Sequence, residues 1–133
     1  MGRKGFTLVE IMIVVGIVAL LAAIVVPNML TAKRTANEAA AKATIRSLST
    51  AAETFAIPHG GAYPTTVAEL NNFIASASNY CSDVVVTAVT PVQGYNYGCG
   101  LAVDGYTFVA TPITLGTTGS VTYTVTTGGV LTP

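Results

Sequence analysis

The sequence predicts an α+β protein in which a long amino-terminal α-helix, about residues 6–57, packs on a small antiparallel β-sheet. A short α-helix is expected in the loop that connects them. Three observations support this prediction. An unbroken apolar run lies near the start, apolar residues continue at helical spacing up to residue 57, and the pattern changes to a period of two after Cys81. The 133 residues are enough for one modest domain.

Composition and charge exclude several classes of protein. The chain is 51% hydrophobic and only 9% charged, whereas an average soluble domain is about 25% charged. Its formal net charge is zero, which excludes a disordered acidic tail and a strongly basic nucleic-acid binder. All six Lys and Arg residues lie between Arg3 and Arg46. Residues 58–133, here called the head, contain none of them, so we expect no nucleic-acid binding through the head.

The apolar run predicts a membrane-spanning helix. Ile11 to Val26 is sixteen residues without a strongly polar side chain. Extended back to Phe6, the helix would be about 31 Å long, which matches a bilayer hydrocarbon core of about 30 Å. Arg3 and Lys4 precede it, so the positive-inside rule places the amino terminus in the cytoplasm and the head outside. A cleaved secretory signal peptide is the alternative interpretation of the same run.

Glu10 is the most informative residue of this segment, and its chemistry alone allows two interpretations. An ionisable side chain in a membrane helix costs about 2.5–3.5 kcal/mol and marks a functional candidate. Thr7 and Glu10 also have the Ser/Thr-x-x-Glu spacing of a helix capping box.

The residues around Glu10 favour the functional interpretation. A basic leader, then Gly5-Phe6-Thr7-Leu8-Val9-Glu10, then a long apolar run ended by Pro27 resembles the class III signal of type IV pilins and type II secretion pseudopilins over residues 1–28. The resemblance implies cleavage by prepilin peptidase between Gly5 and Phe6, and methylation of the new Phe6 amine. It also implies that Glu10 pairs with the Phe6 ammonium of a neighbouring subunit during assembly. The fold that it implies is the pilin fold.

The helix is expected to continue beyond the apolar run. The apolar residues that recur at spacings of four and three, on one side of a helix, are Ala41, Ile45, Leu48, Ala52 and Phe55. Gly16 and Pro27 are the two weak points at which the helix is predicted to kink. Pro58 and the glycines after it end the helix.

The head begins with a predicted short helix. Thr66 and Glu69 form a second capping box, and the helix is expected to run to about Ala77. Its inward residues should be Leu70, Phe73 and Ile74.

Alternating residues further along predict three or four antiparallel strands with one polar, Thr-rich face. The candidate segments are residues 84–89, 94–99, 106–111 and 121–126. The Leu48 and Phe55 side of the long helix is expected to cover the apolar face of this sheet.

Cys81 and Cys99 are the only cysteines, and in an exported head they should form a disulfide. A metal or redox role for the two thiols is the alternative, although they would supply only half of a typical site. No catalytic constellation, cofactor-binding motif or metal-ligand cluster is evident, and His59 lies in a Pro- and Gly-rich turn. We therefore expect a protein that is not an enzyme and that holds no cofactor. Residues 105–133 also lack the acidic side chains of the calcium site that the resemblance to major pseudopilins would imply, which favours a pilus subunit.

The sequence thus predicts a prepilin with four segments: a leader at 1–5, a membrane and filament-core helix at 6–28, an amphipathic helix at 29–57 and the head at 58–133. The precursor is expected in the bacterial inner membrane, and the mature chain in an extracellular pilus or a periplasmic pseudopilus. The expected partners are further copies of this chain, prepilin peptidase and a pilus or secretion assembly machinery, with roles in adhesion, motility or secretion. A type II secretion pseudopilin or a minor pilin is one alternative. A membrane-anchored periplasmic binding module that does not polymerise is another.

Overall fold

A computed structural model of the chain describes residues 5–81 and 91–133. The helices are α1, Leu8–Ala56, α2, Val67–Asn71, and a 3₁₀ turn, Ala77–Asn79. The strands are β1, Tyr95–Ala102, β2, Gly105–Pro112, β3, Tyr123–Thr126, and β4, Val130–Thr132. The predicted α+β class, with a long amino-terminal helix, a short helix in the connecting loop and an antiparallel sheet, is confirmed.

Helix α1 is a single helix of 49 residues that continues through Pro27. Its bounds lie within two residues of the predicted 6–57. Because proline has no N–H, one carbonyl of the preceding turn loses its partner. Beside it, the Asn28 side-chain amide donates to the Ile24 carbonyl at 3.1 Å. The helix ends where the Gly61 N–H donates to the Ala56 carbonyl at 2.9 Å, with Gly61 at a φ of 93° that favours glycine.

The chain divides into two compact units, Met1–Lys33 and Arg34–Pro133. We call them the amino-terminal unit and the carboxy-terminal unit. Every residue described from Gly5 to Lys33 is exposed, and the buried residues all lie in the carboxy-terminal unit. The four segment boundaries expected from the sequence stay predictions.

The described strands form one antiparallel sheet in the order β1-β2-β3-β4. Tyr97 pairs with Ala110, and Phe108 pairs with Val125, so that alternate residues of each strand lie on the same face. The segments predicted around Tyr95, Phe108 and Val125 are confirmed as strands, whereas the predicted strand at 84–89 lies outside the described residues.

Strand β4 was not predicted. It follows a three-residue turn in which Gly128 and Gly129 have φ values of 81° and 72°. A Gly-Gly pair between β-branched segments is a hairpin signal, and it is the local feature from which β4 could have been predicted.

The core of the carboxy-terminal unit forms between one side of α1 and one face of the sheet. The predicted helix side is confirmed, because all five of its members are buried: Ala41, Ile45, Leu48, Ala52 and Phe55. On the sheet, the buried residues alternate as expected: Tyr95, Tyr97, Cys99, Tyr106, Phe108, Ala110, Pro112, Tyr123 and Val125.

The predicted short helix has the correct start but the wrong end. Both hydrogen bonds of the capping box between Thr66 and Glu69 are present. The helix stops at Asn71 rather than near Ala77, and Phe73 is 40% exposed, not inward. At this end the Asn71 side-chain oxygen accepts a hydrogen bond from the Ser78 backbone N–H at 3.2 Å, and such side chain–backbone bonds compete with continuation of a helix.

Candidate functional site

The predicted cleavage position lies just before α1. Gly5 and Phe6 are exposed and precede the first helical residue, Leu8. The Phe6 side chain is 85% exposed. A processing enzyme requires an accessible peptide bond outside a helix, and the Gly5–Phe6 bond has both properties.

Thr7 and Glu10 form the capping box that their spacing predicts. The Thr7 backbone N–H donates to Oε2 of Glu10 at 2.8 Å, and the Thr7 hydroxyl donates to the same oxygen at 2.7 Å. In return, the Glu10 N–H donates to the Thr7 hydroxyl oxygen at 3.3 Å. The other carboxylate oxygen, Oε1, accepts no hydrogen bond from any residue in 5–81 or 91–133. The cap thus occupies one of the two oxygens of Glu10.

Helix α1 carries an apolar stretch long enough to cross a membrane. Its most apolar window of 18 residues has a mean hydropathy of 3.0, and none of that window is buried within the chain. Within the part of the chain that the structure describes, α1 is the one helix with this property. Gly16 lies inside the stretch, and a Cβ added there would meet nothing within 4 Å. The kinks expected at Gly16 and Pro27 stay predictions.

Comparison with known proteins supports the same segment. The family model of the prokaryotic N-terminal methylation motif matches residues 1–26. The amino terminus of the chain carries this methylation motif. The resemblance to type IV pilins and type II secretion pseudopilins that the sequence indicated is therefore confirmed.

Three curated relatives show how far this similarity extends. The type IV wide pilus major component PilA4 of Thermus thermophilus is 54% identical over 35 residues, 26% of this chain and 27% of the relative. The type IV major pilin protein PilA of Myxococcus xanthus is 42% identical over 53 residues, 40% of this chain and 24% of the relative. The type II secretion system core protein G of Vibrio cholerae is 37% identical over 77 residues, 58% of this chain and 52% of the relative.

The chain thus spans between about a quarter and about half of the length of these relatives. No solved structure gives a significant match. The names of the relatives describe filament or secretion-system components rather than enzymes.

The cysteines of this pilin-like chain form the predicted disulfide. Cys81 and Cys99 are bonded, with their Cα atoms 5.4 Å apart, and both are buried. The bond joins Cys81, two residues after the 3₁₀ turn, to Cys99 in the middle of β1. With both thiols in a disulfide, the alternative of a two-thiol metal site does not apply to this structure.

Glu53, near the end of α1, collects hydrogen bonds from distant parts of the chain. Its carboxylate accepts from the Tyr106 hydroxyl at 2.7 Å, the Gly128 N–H at 2.8 Å and the Tyr63 hydroxyl at 3.0 Å. Burial raises the pKa of Glu53, but these three hydrogen bonds outweigh it and leave the pKa below its ordinary value. The burial of Tyr106 raises the pKa of its phenol. Sequence reasoning missed this network because its members are far apart along the chain.

A second set of contacts holds the loop after β2 against α1. The Glu38 carboxylate accepts from both the hydroxyl and the N–H of Ser120, at 2.6 and 2.8 Å. These bonds lower the pKa of Glu38, with further help from the nearby Arg34 and Lys42 charges. The Asn37 amide donates to the Thr118 carbonyl at 3.0 Å.

His59 was expected to be a solvated loop residue, and it is exposed. It nevertheless has a structural role at the end of α1. Its ring stacks on Phe55 at 3.9 Å between centroids, and Nδ1 lies 2.7 Å from the Phe55 carbonyl. Among the described residues, no group of three or more His, Cys, Asp and Glu side chains is placed to hold a metal ion.

Proposed function

We propose that this chain is the precursor of a structural subunit of a type IV pilus-like filament. The observation that carries the proposal is the methylation motif over residues 1–26, which coincides with an exposed apolar helix that begins at Glu10's capping box. The precursor is held in the inner membrane by this helix. Arg3 and Lys4 keep the amino terminus cytoplasmic, and the head lies on the other side.

Processing supplies the group that Glu10 needs for assembly. Prepilin peptidase cuts the exposed bond between Gly5 and Phe6, and the new amine of Phe6 is methylated. A methylated amine still carries a positive charge at neutral pH. Cleavage therefore places a cation at the amino terminus, four residues before an acid whose Oε1 accepts no hydrogen bond from a described residue.

Assembly then exchanges lipid for neighbouring helices. Because both surroundings are apolar, burial itself contributes little to the preference for the filament. The pairing of Glu10 with the Phe6 ammonium of the next subunit contributes more, since an unpaired charge in the apolar core costs several kcal/mol. The pair would thereby set the axial register of neighbouring subunits.

The test combines the mass of the mature chain with one substitution. We expect mass spectrometry of surface filaments to show a chain that begins at methylated Phe6. The variant Glu10→Val should be processed normally. Its filament yield should fall by about tenfold or more, because the pairing is lost. Glu69→Val, which removes a carboxylate from the other capping box, is the matched control and should assemble.

Each alternative outcome identifies a different protein. An intact leader on the mature chain would support a membrane-anchored module that does not polymerise, and a start beyond Val26 would support a secreted head. Normal filaments from Glu10→Val would contradict the proposed assembly step.

A type II secretion pseudopilin is the second candidate, and one observation favours it. The alignment with core protein G is the longest of the three, at 77 residues, and extends beyond α1. Deleting the gene decides between the two candidates. Loss of surface filaments with normal protein secretion supports the pilus subunit, whereas loss of secreted enzymes without loss of pili supports the pseudopilin.

A further inference from the structure

The carboxy-terminal unit has two opposite ends that differ in charge. Strand β2 runs from Gly105 to Pro112, so the turn before it and the loop after it are about 24 Å apart. We call the loop 113–120, together with Arg34 on α1, the loop end. We call the turn 102–105, together with Ile57, the turn end.

The loop end presents apolar side chains on a fixed backbone. Leu115 is 74% exposed and Ile113 is also exposed. The hydrogen bonds of Asn37 and Glu38 to Thr118 and Ser120 hold this loop on α1. Exposed aliphatic side chains on a loop that is already ordered lose little entropy when a partner covers them.

The turn end presents a matching apolar surface. Val103 is 61% exposed and Ile57 is 81% exposed. The Tyr63 N–H donates to the Val103 carbonyl at 3.0 Å and thereby ties the chain that follows α1 to this turn. Both ends are therefore ordered and apolar at their tips.

Side-chain charge distinguishes the two ends. Arg34 and Lys42 flank Glu38 at the loop end, and because Glu38 stays ionised the three described side chains sum to a charge of +1. Among the described residues at the turn end, the charged side chains are Asp104, which is exposed, and Glu53. The loop end is therefore net positive and the turn end net negative. Lys and Arg are absent from residues 47–133, so no basic side chain of that segment offsets the negative turn end.

We propose that the loop end of one subunit docks on the turn end of another copy of this chain. Leu115 and Ile113 would pack on Val103 and Ile57, with Arg34 facing Asp104 across the contact. Opposite charges select this head-to-tail arrangement and disfavour the pairing of two like ends. A contact between two different surfaces of the same chain is heterologous and extends into an open helical polymer. The inference rests on the proposed filament and adds an outer contact to the amino-terminal one.

Charge reversal tests the pairing in filaments of the full chain. We expect Arg34→Glu and Asp104→Lys each to reduce filament yield by about threefold to tenfold, because like charges then face each other. The double variant R34E/D104K should restore the yield. Arg46→Glu is the matched control. It makes the same change of charge at an exposed position on α1 away from both ends, so R46E/D104K should stay defective.

A photo-crosslinking residue at Leu115 tests the contact directly. We expect a dimer of this chain on irradiation of intact filaments, with the crosslink mapped to residues 57 or 102–105. Crosslinks elsewhere, or single charge reversals with normal yields, would overturn the docking. Filament formation by the unsubstituted chain tests the proposed function independently of the crosslink. If those filaments form and no head-to-tail crosslink does, only the docking fails.

Discussion

Two buried tyrosines of the carboxy-terminal unit differ in the surroundings of their hydroxyl groups. The Tyr106 hydroxyl donates to Glu53, lies 2.7 Å from the Ser49 hydroxyl and accepts from the Gly129 N–H at 3.2 Å. The Tyr97 hydroxyl makes no well-formed hydrogen bond with a described residue, although the Thr44 side chain lies near it. Burial raises the pKa of both phenols. At this scale, burial alone does not tell which hydroxyl stabilises the fold.

Removing the two hydroxyls should therefore change the free energy of unfolding differently. Tyr106→Phe leaves Gly129 and Glu53 short of a partner and should lower the free energy of unfolding by about 1–3 kcal/mol. Tyr97→Phe removes a buried group without a good partner and should leave stability unchanged or raise it slightly. Urea unfolding of the full chain in detergent, followed by circular dichroism, measures both. Equal losses in the two variants would contradict this account.

At the scale of elements, local signals predicted well, whereas the hydrogen-bond partners that come from distant segments were not foreseen. Both capping boxes, at Thr7 and Thr66, were predicted because a box is complete within four residues. The alternation of β2 was predicted because one face of the strand is buried. The end of α2 was wrong, since it depends on the bond between Asn71 and Ser78, and the partners of Glu53 come from three separate segments. No spacing rule identifies such partners in advance.

The disulfide is the element-scale contact that the sequence did predict, and its loss should be costly. It closes a loop with a separation of 18 residues between Cys81 and Cys99. In the chain-entropy description, the lost entropy of the unfolded chain raises the free energy of unfolding by about 3 kcal/mol. The variant C81S/C99S should unfold at a correspondingly lower urea concentration. Unfolding of the unsubstituted chain with and without reductant provides the comparison. An unchanged midpoint would show that the bond does not support the fold.

For the whole molecule, the decisive fact is that the buried residues that the structure describes all lie in the carboxy-terminal unit. No described residue before Arg34 is buried, while the core runs from Ala41 to Val125. The amino-terminal unit contributes exposed apolar surface that lipid or other helices must cover. The core of the fold therefore does not depend on the segment that carries the methylation motif.

A chain that begins at Arg34 should consequently fold in water without detergent. We expect cooperative urea unfolding with a midpoint close to that of the full chain, because the truncation removes no buried side chain. Circular dichroism and ultracentrifugation of the truncated chain at micromolar concentration check this expectation. A non-cooperative transition would mean that residues 5–33 contribute to the core after all.

The arrangement of Glu10 has a consequence for how a subunit enters and leaves a filament. Its Oε2 holds the first turn of α1 through Thr7, while Oε1 has no described partner. If the proposed ammonium of a neighbouring chain binds Oε1, it can do so without displacing Thr7, and the first turn of the helix need not unwind. In the proposed assembly, the first turn of α1 would therefore stay intact both in the membrane and in the filament.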